Sequence, residues 1–282
     1  MAYVLTRKEA LFVLHLLVEG NSLRSIQRLT GVHRDTVARL MVKVGTRLRG
    51  VMDRRFRNLE LNHLQCDEIW TFVRKKQGKL NVEERANPAV GDQYLYVALD
   101  EETKFIPSLA IGKRTVETTE LFMDDLAGRI VVPPLLQPGE RPMISTDGFN
   151  AYPNAVDGAF GGAVNYGTII KDYTESEQPG RYGPPEMTGA ARRVIQGAYS
   201  RWEICTSHVE RHNLSIRTFL RRFTRLALGF SKKLECLQAA VAVYIAYYNF
   251  CWMHGSLPGT PAMAARLTGH PWSMEELLQE AE

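Results

Sequence analysis

The spacing of hydrophobic residues in this chain changes near residue 64, and this change limits the folds that the chain can adopt. Up to residue 48, apolar residues recur at the three- and four-residue intervals of amphipathic helices. From residue 64 they come in short runs rich in β-branched and aromatic residues, which are typical of strands. The sequence therefore predicts a helical N-terminal domain followed by an α/β domain.

The N-terminal pattern has the helix, helix, glycine turn, helix order of a helix-turn-helix. It predicts a helix over residues 7–18, a short helix over 22–29, a turn at Thr30–His33 and a third helix with Val37 to Leu48 facing inward. We place this domain and its linker at residues 1–58. The polar, arginine-rich residues 49–63 are expected to connect it to the next domain.

In a helix-turn-helix the last helix enters the major groove of DNA, and its first turns contact base edges. Arginine can read guanine with two hydrogen bonds, so Arg34 and Arg39 are the strongest candidates for base contacts. A three-helix packing or dimerisation module is the alternative, because the apolar spacing does not identify a ligand. The full set of candidates comprises His33, Arg34, Thr36 and Arg39 for bases, and Arg24, Arg28 and Lys43 for phosphates.

The second domain is predicted at residues 59–255. Its order of elements indicates the α/β class, with a mixed five-stranded sheet and flanking helices. Residues 172–200 include a stretch dense in glycine and proline and are expected to form an irregular insertion. Residues 256–282 are expected to be a C-terminal tail. The predicted strands are 64–73, 94–100, 105–111, 143–146 and 163–170, with a helix at 115–130.

Three acidic residues occupy settings that suit metal-dependent chemistry on phosphates. Asp67 lies in the first predicted strand, Asp147 follows the fourth, and Glu210 opens an arginine-rich helix. Such carboxylates can hold two Mg²⁺ roughly 3.5–4 Å apart for phosphoryl transfer, and hard cations prefer oxygen ligands. We expect these residues to be catalytic and to bind two Mg²⁺, with Mn²⁺ as a substitute. A salt bridge from Glu210 to Arg211 or Arg217 is the alternative when that helix is considered alone.

The helix of Glu210 also carries two histidines, His208 and His212, which suggest a zinc site. The histidines share one helix face, whereas Glu210 points about 200° away from His208. The zinc-protease pattern His-Glu-x-x-His is absent. We expect the polar and basic residues of this region to hold a phosphate backbone near the metals, and these are Arg211, Asn213, Arg217, Arg221, Arg222 and Arg225.

Charge is distributed unevenly along the chain, although the net formal charge is only +4. Residues 1–60 contain 12 Lys and Arg against 5 Asp and Glu, and residues 192–233 contain 10 against 2. Residues 61–191 are acidic, with 12 basic against 19 acidic residues. Basic blocks favour a polyanion partner, because each Lys or Arg near a phosphate releases counterions. Together with the helix-turn-helix they indicate double-stranded DNA, and solvated helix faces are the alternative.

The four cysteines lack close metal-type spacing and are expected to be free thiols in a reducing cytosol. The longest apolar stretch, residues 239–250, is too short to span a bilayer. The first residues show no signal-peptide pattern. We expect a cytoplasmic protein, and a DNA partner would make it nucleoid-associated.

Eight short segments occur in an order that is specific although each segment alone is weak. They are Gln65–Val73, Phe122–Leu126, Thr146–Tyr152, His208–Leu214, Arg221–Leu226, Phe230–Glu235, Tyr247–Phe250 and Thr260–Ala265. With these segments the chain resembles, over almost its full length, the DDE-class transposases of bacterial insertion sequences. It is most similar to the insertion-sequence-one family.

This resemblance implies an RNase H-like catalytic fold after a DNA-binding helix-turn-helix. It implies that Asp67, Asp147 and Glu210 bind the metals, that DNA is cut at terminal inverted repeats, and that 3′-hydroxyl ends are joined to new DNA. Because transposition brings two DNA ends together, a homodimer or larger assembly is also implied. The gap of 63 residues between Asp147 and Glu210 is longer than in the founding members, and residues 172–200 fill it.

Two other functions are compatible with the same motifs. One is a DNA-binding regulator that retains an inert catalytic domain, and the intact acidic triad argues against it. The other is a structure-specific nuclease with the same core, acting on RNA hybrids or branched DNA. The helix-turn-helix argues against the nuclease, because it indicates sequence-specific binding to duplex DNA.

Overall fold

The N-terminal part of the computed structural model is helical, and the structure describes residues 5–133, 137–174, 187–224 and 227–282. Residues 7–55 form helices α1 (Arg7–Val18), α2 (Leu23–Thr30) and α3 (Arg34–Arg55). The three helices follow the predicted order.

Local capping explains where these helices begin and end. Thr6 and Glu9 form a capping box that satisfies the free N–H groups at the start of α1. The hydroxyl of Ser22 accepts from Ser25 N at the start of α2. Gly31 ends α2 with φ of 75°, a left-handed conformation that glycine adopts without steric penalty. The chain can therefore turn sharply into α3.

Helix α3 is longer than the sequence indicated. We expected a polar linker from residue 49, but the helix continues to Arg55. Val51 and Met52 are buried in this last section. Their packing stabilises helix in a stretch whose many arginines favoured an exposed linker.

The centre of the protein is a mixed sheet in the order β3-β2-β1-β4-β5-β6. Strand β1 pairs antiparallel with β2 and parallel with β4, and β4 pairs parallel with β5. The pairs β2–β3 and β5–β6 are antiparallel. The strands are β1 (His63–Val73), β2 (Gly91–Asp100), β3 (Leu109–Gly112), β4 (Met143–Thr146), β5 (Asn165–Tyr173) and β6 (Met187–Gln196).

The prediction of five strands was wrong, since the sheet has six strands within the described residues. Strand β6 lies inside the segment that we expected to be irregular throughout. Its side chains are mostly exposed, so it lacks the apolar alternation that marks a half-buried strand. Backbone pairing with β5 supports it instead. The most glycine- and proline-rich part of the predicted insertion, residues 175–186, lies outside the described residues.

Strand β3 is shorter than predicted, because its regular pairing with β2 begins only at Leu109, although the carbonyls of Phe105 and Ser108 still accept from Asp100 N and Ala98 N of β2. Ile106 is buried, and its backbone N and O both bond to the side-chain amide of Asn249, at 3.1 and 3.0 Å. A distant asparagine thus satisfies the backbone of Ile106 within the apolar run at 105–111.

The remaining helices flank the sheet, and one of them ties the two predicted domains together. Helix α8 is buried along most of its length and packs against α3. A Cβ added at Gly45 of α3 would collide with the backbone of Ala239, so glycine permits this close approach. These helices are α4 (Val82–Arg85), α5 (Val116–Ala127), α6 (Tyr152–Phe160), α7 (Ser207–Phe219), α8 (Leu234–Phe250), α9 (Pro261–Ala264) and α10 (Met274–Glu280).

Residues 256–282, which we expected to be a tail, contribute α9 and α10 to the same core. Trp272 stacks on Phe250 with ring centroids 4.0 Å apart. Arg47 of α3 donates to the carbonyl of Ala281 at 2.9 Å. One hydrophobic core therefore runs from Ala10 to Ala281 and joins the N-terminal helices to the sheet.

None of the helices in the described ranges has the length and apolar character that crossing a membrane requires.

Candidate functional site

The register of the two central parallel strands brings Asp67 and Asp147 side by side. Cys66 of β1 pairs with Thr146 of β4. Asp67 directly follows Cys66 in the sequence, and Asp147 directly follows Thr146. Thr146 is the last residue of β4, so Asp147 stands at the carboxyl end of that strand. Sites in open α/β sheets collect at such strand ends. Sequence reasoning identified both aspartates, and the sheet explains why they meet.

A third carboxylate, Glu68, completes a close acidic cluster. Asp67, Glu68 and Asp147 each offer a carboxylate oxygen, and these oxygens all lie within 4.8 Å of one another. Sequence reasoning missed Glu68, because consecutive strand residues point to opposite faces of a sheet. The adjacent pair of acids in a predicted buried strand was the signal that could have identified it.

Hydrogen bonds hold the two aspartates in place. Asn213 of α7 donates from Nδ2 to Asp67 Oδ2 at 2.6 Å, and the backbone N of Glu68 donates to Asp67 Oδ1 at 2.8 Å. Asp147 Oδ1 accepts from the backbone N of Phe149 at 2.9 Å. Asn213, predicted as a DNA contact, is buried and orients a carboxylate of the cluster.

Arg114 is a cation in contact with the acidic cluster. Its Nε lies 3.1 Å from Glu68 Oε2, and its Nη2 lies 3.3 Å from Asp147 Oδ2. The guanidinium also lies over the ring of Phe149, 4.0 Å from the centroid. Arg114 therefore contacts two of the three carboxylates.

Burial and mutual repulsion make the cluster reluctant to hold its full negative charge. Burial, together with the charge of Glu68, raises the pKa of Asp67 to about 7. Burial likewise raises the pKa of Glu68 to about 7, with Asp147 adding repulsion. Glu68 Oε1 is buried and has no partner of normal hydrogen-bond geometry within the described residues, although the hydroxyl of Tyr152 is close enough to lower this pKa slightly.

These features fit a hard divalent cation. Carboxylate oxygens are the ligands that Mg²⁺, Mn²⁺ and Ca²⁺ prefer, and a nearby cation favours the charged form of each acid. It would also give the unpaired oxygen of Glu68 a partner. The donor set indicates this class of ion, and it does not distinguish among its members.

Glu210 lines the same cleft but stands outside the group of three carboxylates. The cleft has a volume of about 650 Å³, and Asp67, Asp147 and Glu210 all contribute to its wall. Glu210 Oε1 accepts from Thr206 Oγ1 at 2.6 Å and forms an ion pair with Lys171 of β5. The ion pair recorded for Glu210 is with Lys171, whereas the salt-bridge alternative named Arg211 or Arg217.

The other predicted residues of the basic region separate into different environments. Arg217 lines the acidic cleft, whereas Arg211 is exposed and lines a different cavity. Arg221 is exposed. Arg225 lies outside the described residues. Only part of the predicted basic surface therefore adjoins the carboxylates.

Arg222 packs inward, although we predicted it to contact DNA. Its Nε donates to Ser231 Oγ at 2.9 Å, and its Nη2 lies 3.3 Å from the sulfur of Met41. Burial lowers the pKa of this guanidinium to about 10. The contact that the structure gives Arg222 is between the α7 region and α3.

The predicted helix-turn-helix residues form an accessible surface. Thr36 is half-buried and accepts from Arg39 Nη2 at 3.1 Å. The remaining predicted contacts have exposed side chains, and these are Arg24, Arg28, His33, Arg34, Arg39 and Lys43.

An exposed aromatic residue just before α7 was not predicted. Trp202 has 68% of its surface exposed, and the guanidinium groups of Arg201 and Arg192 lie 4.8 and 5.5 Å from its ring. Stacking rings among cations are a common way to hold nucleic acid. The described residues thus provide a carboxylate cluster suited to a metal ion, with cations in the same cleft, and a separate exposed aromatic residue among arginines.

Comparison with known proteins adds no family, since the sequence matches no protein-family model and no curated protein.

Proposed function

We propose that this chain is a Mg²⁺-dependent DNA transposase that binds the terminal inverted repeats of an insertion sequence and cuts and joins DNA strands. The observation that carries the proposal is the meeting of Asp67, Asp147 and Glu210 in one cleft. These residues are 80 and 63 positions apart in the chain. The same three acids lie in three of the segments that resemble those of DDE transposases.

The sheet supports an RNase H-like fold for the catalytic unit. Strands β3, β2 and β1 form an antiparallel meander, and β4 and β5 continue the sheet in parallel with β1. This arrangement, with a later helix delivering the third acid, is the one expected of such a fold. In this interpretation β6 is an addition at the edge beyond β5.

The chain's own residues prepare the cleft for a phosphodiester. Asp67 and Asp147 would hold the metals together with Glu68, and Glu210 would join them on leaving Lys171. Two Mg²⁺, or Mn²⁺ in their place, would supply an activated attacking oxygen and a stabilised leaving oxygen when bound. Asn213 keeps Asp67 oriented. Arg114, Lys171 and Arg217 line the cleft with positive charge that would attract and position the phosphate backbone.

The partner that suits the rest of the surface is double-stranded DNA. The exposed basic residues of α2 and α3 would select the terminal repeats, while Arg217 would contact DNA in the cleft and Arg211, Arg221 and Trp202 would contact it elsewhere on the surface. Cutting and joining both ends of the element together would require a homodimer or larger assembly. Such an enzyme would act at the bacterial nucleoid.

A strand-cleavage and strand-transfer assay tests the proposal. The substrate is DNA that carries the sequences flanking the gene, supplied with Mg²⁺ or Mn²⁺. We expect nicks at terminal inverted repeats and joined products from the wild type. Asp147→Asn should lower the yields of nicked and of joined DNA by more than roughly 100-fold. Loss of a residue that only supports a metal ligand costs roughly 10- to 100-fold, and Asp147 is proposed as a ligand itself. Asp157→Asn, an exposed change on α6, is the matched control and should retain activity.

The same assay separates the two other functions. Tight binding to the repeats without any cleavage by the wild type would indicate a regulator. Equal cleavage of DNA that lacks the repeats would indicate a nuclease. Intact strand joining by Asp147→Asn would overturn the assignment of the metal site.

A further inference from the structure

Arg114 reaches the acidic cleft from a fixed point on the backbone. It lies between β3 and α5. The hydroxyl of Tyr96 donates to the carbonyl of Lys113 at 3.2 Å. The hydroxyl of Thr115 accepts from Thr118 N and caps α5. Because neighbours hold the backbone on both sides of Arg114, the guanidinium can move by rotation of its side chain alone.

The guanidinium of Arg114 is the counter-ion of a carboxylate that solvent scarcely reaches. The side chain of Glu68 is 2% exposed, and its Oε2 accepts from Arg114 Nε at 3.1 Å. Asp147 Oδ2 accepts from Nη2 of the same guanidinium at 3.3 Å. Both carboxylates belong to the acidic cluster whose oxygens lie within 4.8 Å of one another. Arg114 therefore supplies positive charge at the place where a divalent ion would bind.

Asp67, the third member of the cluster, is held by neutral donors instead. Asn213 Nδ2 and the backbone N of Glu68 each donate to one of its two carboxylate oxygens. These bonds orient Asp67 without adding a positive charge beside it. A cation that enters the cluster therefore meets a competing charge at Glu68 and Asp147, through Arg114.

A divalent ion and a guanidinium at the same carboxylates repel each other. Like charges interact strongly where water is largely excluded, and the buried side chain of Glu68 marks such a place. We therefore expect an ion at Glu68 and Asp147 to weaken their bonds to Arg114. By the same repulsion, Arg114 in its present position should weaken binding of the ion.

The cleft offers Arg114 a second position. Its side chain is 37% exposed and forms part of the cleft wall, next to Lys171 and Arg217. The contact with the ring of Phe149 stabilises the cation without using its N–H donors. A guanidinium binds phosphate oxygens as readily as carboxylate oxygens. A phosphate in the cleft could therefore accept the N–H groups that Glu68 and Asp147 now accept.

We propose that Arg114 competes with the divalent ion for Glu68 and Asp147 and, once displaced, contacts the phosphate that is to be cut. The competition concerns the carboxylate cluster alone, whereas the phosphate contact rests on the proposed strand-cutting activity. Arg114 then neutralises the cluster before the ion binds and turns to the substrate afterwards. A residue that only braced the cluster would help it to bind the ion, so the two roles predict opposite effects on metal affinity.

Mn²⁺ binding to the full-length chain without DNA tests the competition. Free Mn²⁺ is measured by electron paramagnetic resonance at pH 8, above the pKa of about 7 of Asp67 and Glu68. We expect Arg114→Gln to bind Mn²⁺ roughly three- to tenfold more tightly than the wild type, the size of a partly exposed charge contact. Arg85→Gln, an exposed change on α4, should bind Mn²⁺ as the wild type does.

A conservative variant keeps the test valid if Arg114→Gln does not fold, which circular dichroism reports. Arg114→Lys retains the charge, but its single nitrogen lacks the planar fork that bridges Glu68 and Asp147. Its Mn²⁺ affinity should lie between those of the wild type and Arg114→Gln. Mn²⁺ binding that is unchanged or weaker in both variants, or absent in the wild type, overturns the competition.

Strand cutting at saturating Mn²⁺ tests the phosphate contact. Arg114→Gln should cut roughly 100-fold more slowly than the wild type, as expected when a donor to a reacting phosphate is lost. Tighter Mn²⁺ binding together with slower cutting in one variant is the combination that the proposal requires. Cutting that is unchanged or faster in Arg114→Gln would overturn the phosphate contact.

The competition and the proposed transposase activity can fail separately, because the Mn²⁺ measurement uses no DNA. A wild type that cuts no DNA rejects the transposase and with it the phosphate contact. Tighter Mn²⁺ binding by Arg114→Gln in that case still supports the competition at Glu68 and Asp147.

Discussion

The two sides of α7 bury ionisable groups, and the same physical effect moves their pKa values in opposite directions. On the side of the sheet, burial raises the pKa of Asp67 and Glu68 to about 7. On the side of α8, burial lowers the pKa of His212 to about 3. In each case burial disfavours the charged form. Asp67 and Glu68 repel each other when both are charged, and a bound cation would relieve that repulsion. His212 is neutral, and its Nε2 lacks only a hydrogen-bond partner within the described residues.

The largest expected effect is on the histidine side at low pH. The folded-state pKa of His212 is below the unfolded value of 6.5, so the unfolded state takes up the proton first. Stability from neutral His212 is complete above that value and is lost as pH falls toward 3. We expect the wild type to lose about 3 kcal/mol more unfolding free energy than His212→Gln between pH 7 and pH 4, measured by urea unfolding. His15→Gln, an exposed histidine change, should follow the wild type. Equal pH dependence of wild type and His212→Gln would contradict this side of the comparison.

The next prediction concerns Glu68, whose contribution to the unfolding free energy falls as pH rises, opposite to that of His212. Its folded-state pKa is raised from 4.5 to about 7, so without divalent metal the stability it contributes is lost as pH rises through that window. In a chelator at pH 8, Glu68→Gln should exceed the wild type in unfolding free energy by about 3 kcal/mol, and the difference should vanish near pH 4. Mg²⁺ should narrow the gap by stabilising the wild type. Glu120→Gln, an exposed change on α5, should show neither effect. A less stable Glu68→Gln at pH 8 would show that the cluster is not strained by its own charge.

A smaller effect is expected where α7 supports the cluster. Asn213→Ala removes the 2.6 Å hydrogen bond to Asp67 and frees that carboxylate to turn. Loss of such a supporting partner should raise the Mg²⁺ concentration needed for half-maximal strand cutting by at least roughly tenfold. Asn154→Ala on α6 is the matched control, because that side chain is exposed. Weaker DNA binding with an unchanged Mg²⁺ requirement would make Asn213 a DNA contact instead.

The smallest effect concerns the ion pair between Lys171 and Glu210. Both side chains keep some exposure, 19% and 41%, so the pair contributes little free energy. Lys171→Gln releases Glu210 toward the metals and should lower the half-maximal Mg²⁺ concentration roughly two- to fivefold. Lys232→Gln, exposed and outside the cleft, serves as the control. A higher Mg²⁺ requirement in Lys171→Gln would mean that Lys171 supports the site rather than competing for Glu210.

Much of the architecture could be read from local patterns. Helical spacing and capping residues located α1, α2 and the start of α3, and apolar runs located β1, β2 and β4. Strand β6 escaped prediction because its side chains are exposed and only backbone pairing with β5 supports it. The start of β3 was misjudged because Asn249, more than 140 residues away, bonds the backbone of Ile106. Local sequence patterns do not indicate which distant residues will be in contact.

The sequence by itself determined the local setting of each acid. Asp67 lies in a strand, Asp147 follows a strand, and Glu210 lies on a different helix face from His208 and His212. Strand and helix periodicity are local properties, so these assignments required no partner. Only the tertiary structure decided that Glu68 joins the aspartates, that Arg222 turns inward and that Glu210 pairs with Lys171. It also decided that His212 is buried beside α8. Charge, burial and hydrogen bonding depend on which distant segments meet, and those meetings set the chemistry on both sides of α7.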